Sequence, residues 1–157
     1  MAVNSVYTVK DSVLAAVKRA SEKYNLNTNE LVEKIANLED SSIYEQSLFY
    51  ALNQISMSDP NWTFLAANLY LQELYRNASN SRGYKPEKKY GDFYTLIAEL
   101  TKIGIFSEDL LHDYSKEEID ILGAEITSER DHLFNYIGLF LLADRYLAKD
   151  YEGKLYE

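Results

Sequence analysis

There is no cysteine anywhere in the 157-residue chain. That single absence removes disulfides, thiolate nucleophiles, thiolate-bound zinc and redox dithiols together. Proline is scarce, at 2 residues, and glycine contributes 6, so little in the composition interrupts helix. There are 2 histidines in all and no pattern around either proposes a Ser-His-Asp arrangement; no glycine-rich phosphate loop is present. Basic residues are outnumbered, 16 against 25 acidic ones, for a net charge of −9. An acidic surface repels nucleic acid and anionic membranes, which excludes both as partners. Lys85, Lys88 and Lys89 form a basic cluster too small to change that. No apolar run approaches the roughly 18 residues of a membrane span, and residues 1–10 lack the apolar centre of a secretory signal. The expected location is therefore the cytoplasm, and the sequons at Asn61 and Asn77 are coincidental.

What the chain does have is a globular share of apolar residues, 46%, and many aromatics: 14 Tyr, 6 Phe and 1 Trp. Tyrosine buries a ring while keeping its hydroxyl wet, which suits boundaries between helices or subunits. Nearly every segment then reads as helix. Residues 11–24 place Val13, Val17, Ala20 and Tyr24 on one stripe. A second helix starts at Asn27, spaced from Glu30 as in a capping box, and is expected to bury Leu31, Val32 and Ile35. A third starts at Ser42, spaced likewise from Glu45, with Tyr44, Leu48, Leu52 and Ile55 as its buried stripe. At Ser58-Asp59-Pro60-Asn61-Trp62, Asp59 can cap free amides and Pro60 suits a first helical position. The helix after it runs to about Arg76 and carries Trp62, Leu65, Ala66, Leu69 and Leu74.

From residue 77 to residue 91 the apolar period stops, which predicts the main loop and a hinge between two small lobes. The pattern resumes at Asp92 with Phe93, Leu96, Ile97 and Leu100, closing at Gly104. Two short helices follow, the second opened by the capping-box pair Ser115 and Glu118 ahead of Ile119 and Leu122. A last long helix is predicted over 128–147, carrying Leu133, Tyr136, Ile137, Phe140 and Leu141. The tail, residues 150–156, holds a turn flanked by strand-prone residues, as if leading into more protein. The expected fold is all-α, an irregular bundle of about seven to eight helices in two lobes joined near residues 77–91.

Carboxylate-x-x-His spacing occurs twice, at Asp109/His112 and Glu129/His132. On a helix such pairs share a face, and with further carboxylates such as Glu73 or Glu99 they could build a di-metal site. One pair sits on a short helix and the other straddles a helix start, so the spacing is weak. Glu117, Glu118 and Asp120 read as a solvated helix start, and Arg130-Asp131 as a local ion pair. From the residues alone the chain is an acidic, all-helical domain without an assignable activity.

A resemblance carries further. The stretch Ser58-Asp59-Pro60-Asn61-Trp62-Thr63-Phe64-Leu65-Ala66-Ala67-Asn68-Leu69 resembles a segment ahead of the catalytic barrel in class I ribonucleotide reductase large subunits. There an acidic-Pro-Asp-Tyr/Trp stretch leads to Leu-Ala-Ala-Arg. In the same order, Phe93-Tyr94 with Leu96-Ile97, and Gly104-Ile105-Phe106, are similar to the next two family segments. Leu110-Leu111-His112-Asp113-Tyr114-Ser115-Lys116-Glu117-Glu118 resembles the family's Leu-Leu-x-x-Tyr-Ser/Thr-x-Glu-Glu run. Glu129-Arg130-Asp131-His132-Leu133-Phe134-Asn135-Tyr136 resembles Asp/Glu-Arg-Asp-x-x-Phe-x-Tyr, and Leu141 to Leu147 is similar to the closing Leu-x-x-x-Tyr-Leu.

The resemblance implies that residues 41–157 are the N-terminal helical domain of such a subunit. Residues 1–40 would be a shortened or degenerate ATP-cone, in which Val9-Lys10-Asp11 alone is similar to the Lys-Arg-Asp-Gly signature. It implies no catalytic residue here, because the family's radical and redox cysteines lie on the barrel downstream. It implies partners: the barrel, in cis or as a split-gene product, and a small radical-generating subunit. The final helix, around Arg130 and Tyr136, is the expected surface toward that barrel. No cofactor is expected in this chain; nucleotide effectors and a radical from the metal-containing small subunit would serve the parent enzyme. The rival readings are a stand-alone helical binding or regulatory module, and a di-metal carboxylate protein.

Overall fold

The structure, a computed structural model, describes residues 8–157. Among them are eight α-helices and two 3-10 helices, and the only strand-like pairing is an isolated antiparallel bridge between Lys149 and Leu155. The all-α expectation is met. The helices are α1 (Val9–Tyr24), α2 (Asn29–Ala36), α3 (Ile43–Gln54), α4 (Trp62–Arg82), α5 (Phe93–Lys102), α6 (Asp109–Asp113), α7 (Lys116–Ala124) and α8 (Tyr136–Arg145). They divide into two compact units. The first holds the described residues up to Glu73 together with His132–Phe140; the second holds Leu74–Asp131 and Leu141–Glu157. Residues on either side of position 40 therefore share the first unit, and the division falls inside α4 and α8 rather than in the loop.

The first unit is built on α1 to α3 and the start of α4. Thr8 caps α1 reciprocally: its hydroxyl accepts from the Asp11 amide at 3.1 Å while the Asp11 carboxylate accepts from the Thr8 amide at 2.9 Å. Val13, Ala16, Val17 and Ala20 of α1 are buried against Leu31 and Ile35 of α2 and Ile43, Tyr44 and Ala51 of α3. Trp62, Leu65, Ala66 and Leu69 of α4 complete that core. Burying side chains of this size removes about 1.5–3 kcal/mol each from contact with water, which is what offsets the ordering of the helices.

Both predicted faces are met in the main. On α2 Leu31 and Ile35 are buried while Val32 lies on the surface; α3 buries Tyr44, packs Leu48 and Leu52 half-buried against the core, adds Ile43, Ser47 and Ala51 to the buried face, and leaves Ile55 exposed. The apolar residues of α3 surround it on most sides, so spacing alone does not choose the face; the packing of α1 and α2 does. Neither predicted box at Asn27 or Ser42 forms. Asn27 instead accepts from the Asn29 amide, and Ser42 accepts from the Gln46 side chain. Past Pro60 the first amides of the next helix, Thr63 and Phe64, donate to the carbonyls of Pro60 and Asn61.

In the second unit, α4 continues to Arg82, six residues beyond the predicted end at Arg76, because Ala78 and Ser79 are buried and hold the helical path. The loop is thus confined to residues 83–92, with a 3-10 turn at Pro86–Lys88. Asp92 then caps α5, accepting from the Thr95 amide at 2.8 Å. Gly104 closes that helix at φ 76°, where the Ile105 amide reaches back to the Leu100 carbonyl. The Ser115–Glu118 capping box of α7 forms as read. Leu96 and Leu100 pack with Ala148 and with the half-buried rings of Phe93, Phe106 and Tyr156.

The predicted helix over 128–147 is two elements: a 3-10 helix, Ser128–Leu133, and α8. The break has a local cause. The Asn135 side chain accepts from the Gly138 amide at 2.8 Å, so a new helix is capped in mid-run.

Candidate functional site

The carboxylate-x-x-His pairs do not assemble a metal site. His112 is exposed, with Nδ1 2.8 Å from the carboxylate of its neighbour Asp113. Asp109 accepts from the Ser107 hydroxyl, and Glu99 pairs with Arg82. His132 places Nε2 2.6 Å from Nη1 of Arg19. Among the described residues no group of three or more histidines and carboxylates could hold a metal ion. Glu118 serves its cap and Asp120 pairs with Lys116 one turn away, so the Glu117–Asp120 group is a solvated helix start.

The densest polar constellation lies in the second unit. Oδ2 of Asp131 accepts hydrogen bonds from the hydroxyls of both Tyr75 and Tyr90, whose rings meet edge to face at 5.8 Å. Burial, and then the bond to the anionic Asp131, push both phenols above their ordinary range. Sequence reasoning had paired Asp131 with Arg130; a tyrosine partner 56 positions away leaves no local signal. Close by in the chain, Arg82 is almost wholly buried. Its Nε donates to Glu99 at 2.8 Å, and its other nitrogens donate to the carbonyls of Tyr90 and Asp92. The guanidinium also lies over the ring of Tyr84, whose hydroxyl donates to the Lys89 carbonyl. Lys89 itself sits at φ 58°, a conformation a non-glycine residue adopts only when held, and its ammonium donates to the Ser128 hydroxyl at 2.6 Å. These groups fix the loop over 83–92. Through these bonds they hold backbone in place.

The surface that can act on a partner is apolar. In the first unit Leu133 is 68% exposed, Ile137 60% and Phe140 43%. Tyr136 turns in instead. Its ring meets Tyr70 edge to face at 5.8 Å, and its amide donates to the Thr63 hydroxyl at 3.2 Å. In the second unit Ile121, Leu122 and Ile126 are likewise exposed while Ile119 alone of α7 is buried. Single exposed apolar residues are ordinary, but Ile137 and Phe140 lie about one turn apart on α8 and Leu133 is exposed just ahead of it, a concentration of apolar surface that marks an interaction surface.

No family model matches the chain. Among curated proteins it is similar to the ribonucleoside-diphosphate reductase subunit alpha of Helicobacter pylori, 36% identical over 100 residues, covering 64% of this chain and 12% of that protein. It is 28% identical over 151 residues to the subunit alpha of enterobacteria phage T4, covering 92% of this chain and 19% of that protein. The Escherichia coli reductase 1 subunit alpha is 28% identical over 126 residues, covering 76% of this chain and 15% of that protein. The chain thus spans 12 to 19% of the length of these relatives. These relatives share one name, and the similarity agrees with the ordered motifs from Ser58 to Leu147: over most of its length the chain is similar to the N-terminal region of ribonucleoside-diphosphate reductase alpha subunits.

Proposed function

We propose that this chain works as the N-terminal helical domain of a reductase large subunit, seated against the catalytic part of that subunit, and performs no chemistry itself. The parent enzyme would convert ribonucleotides to deoxyribonucleotides, in the cytoplasm, with a radical supplied by a metal-containing small subunit and with nucleotides as effectors. Reduction in that family runs on cysteines, and this chain has none. The observation that carries the reading is the apolar patch Leu133, Ile137 and Phe140, left uncovered in a chain whose relatives are several times longer. A barrel or other catalytic segment packed there would remove those side chains from water, at about 25 cal/mol for each Å² of apolar surface covered.

The test is a chimera. This chain replaces the matching N-terminal region of the Escherichia coli alpha subunit, and reduction of a ribonucleoside diphosphate is measured with the small subunit present. The chimera should retain activity, the chain alone should show none, and Ile137→Asp in the chimera should lower activity while leaving the isolated chain folded. Retained activity with the region deleted altogether would sink the proposal. So would an Ile137→Asp chimera indistinguishable from its parent.

A further inference from the structure

Within the first unit a groove of about 860 Å³ runs between α2 and α3. Leu31 and Ser47, both buried, lie at its floor, and Leu38, Phe49 and Tyr50 form apolar walls. Its rim is polar. Asn37 gives Nδ2 to the Glu33 carbonyl at 3.0 Å, and Asn53 gives Nδ2 to the Phe49 carbonyl at 2.8 Å. Each of these bonds uses one N–H of its amide, which keeps its carbonyl oxygen as an acceptor beside one further N–H. Gln46 is in the same state: Nε2 donates to the Ser42 hydroxyl at 2.9 Å, whose own proton goes to the Glu39 carbonyl. Glu45 adds a carboxylate to the rim. The Ser47 hydroxyl is shut off from water and has no hydrogen-bond partner, a state that costs about 1–3 kcal/mol unless something supplies one.

The one cation lining the groove is already used. Lys34 lies 3.3 Å from Glu30 and 5.3 Å over the Tyr50 ring. Across α2, α3 and their connection, Glu30, Glu33, Glu39, Asp40 and Glu45 stand against Lys34 alone. A phosphate or carboxylate entering here would meet the like charge of Glu45 and its acidic surroundings. A guanidinium or ammonium on an apolar stem would meet amide oxygens, a carboxylate and the face of Phe49, which is 68% exposed.

We propose that this groove docks a basic segment of a partner polypeptide, its arginine or lysine stem lying along Leu38, Phe49 and Tyr50 and its N–H groups meeting Glu45 and the rim amide oxygens. The charge of the rim sets the partner's sign, and the apolar walls set the need for a stem longer than the charged head. This site shares no residue with the patch at Leu133–Phe140, so the two proposals stand or fall separately.

The experiment uses the 157-residue chain and its single tryptophan, whose ring lies 6.0 Å from Tyr50 at the groove wall. Trp62 fluorescence is followed on titration with an amidated Leu-Arg-Leu-Arg-Leu peptide, with the same peptide carrying glutamate for arginine, and with spermidine. Saturable binding of the arginine peptide is expected, weakened about tenfold or more by Glu45→Lys and by Asn53→Leu. Glu152→Lys, the same charge change in the second unit, should have no such effect. Absence of saturation overturns the proposal. Equal loss with Glu152→Lys reduces the effect to net charge and overturns it too. Preference for the glutamate peptide, or spermidine binding as tightly with the same Glu45 dependence, replaces the basic peptide with another occupant.

Discussion

The Tyr75 hydroxyl donates to the Asp131 carboxylate across 56 positions of sequence, tying the middle of α4 to the 3-10 helix that precedes α8. Tyr75 is 6% exposed, so without Asp131 its hydroxyl would keep only the neighbouring Tyr90 hydroxyl as a partner. Asp131→Ala is expected to destabilise the chain by about 2–3 kcal/mol, and Tyr75→Phe by about 1–2. The double variant should lose clearly less than the two single losses together, because the second change removes a group the first has already stranded. Denaturant unfolding of the four proteins measures this, and strict additivity would mean the bond contributes nothing.

The same cluster sets behaviour in alkali. An unfolded tyrosine titrates near 10.0, while in the folded chain burial, and then Asp131, hold Tyr75 and Tyr90 protonated to higher pH. Above 10.0 the folded state therefore binds more protons than the unfolded one, and stability falls as pH rises. The contribution is complete below pH 10.0 and is lost progressively above it. Unfolding midpoints should drop steeply above about pH 10, and Tyr75→Phe with Tyr90→Phe should flatten that slope. Phenolate absorbance from these two residues should appear only with unfolding. Its appearance in the folded chain near the ordinary value would contradict the burial argument.

Gly123 sits inside α7, where alanine would ordinarily gain about 1 kcal/mol of helix propensity. Here an added Cβ would stand 2.8 Å from Cβ of Phe93, a position fixed by the start of α5. The clash of two side-chain roots is expected to cost about 1–3 kcal/mol and reverse the sign of the substitution. A thermal melt of Gly123→Ala that is unchanged or higher would show that α5 and α7 are free to separate.

Some helix ends were legible from short-range signals. Ser115 with Glu118, and the left-handed Gly104, act within one turn, and the structure places them as the spacing does; the equally local Asn135 cap of α8 went unread. Asn27 and Ser42 had the same spacing and did not form boxes, because their side chains found other local partners. The carboxylate-histidine pairs show the limit of spacing as evidence. Asp109 and His112 do share a short helix, yet each turns to an immediate neighbour in the chain.

The uncovered patch at Leu133, Ile137 and Phe140 was the least legible feature, though every residue in it was noticed. Apolar residues at helical spacing announce a buried face without saying whether this chain or another buries it.

By itself the sequence determined the helical class, the missing thiol chemistry, the acidic charge and the order of motifs shared with the reductase alpha subunits. These depend on composition and on contacts within a few residues. The tertiary structure alone decided which helix faces are inside, that Asp131 serves two tyrosines and not Arg130, and that the Leu133–Phe140 stripe points outward. Each of those depends on residues far apart in the chain, and burial is a property of the neighbours a side chain meets, not of the side chain.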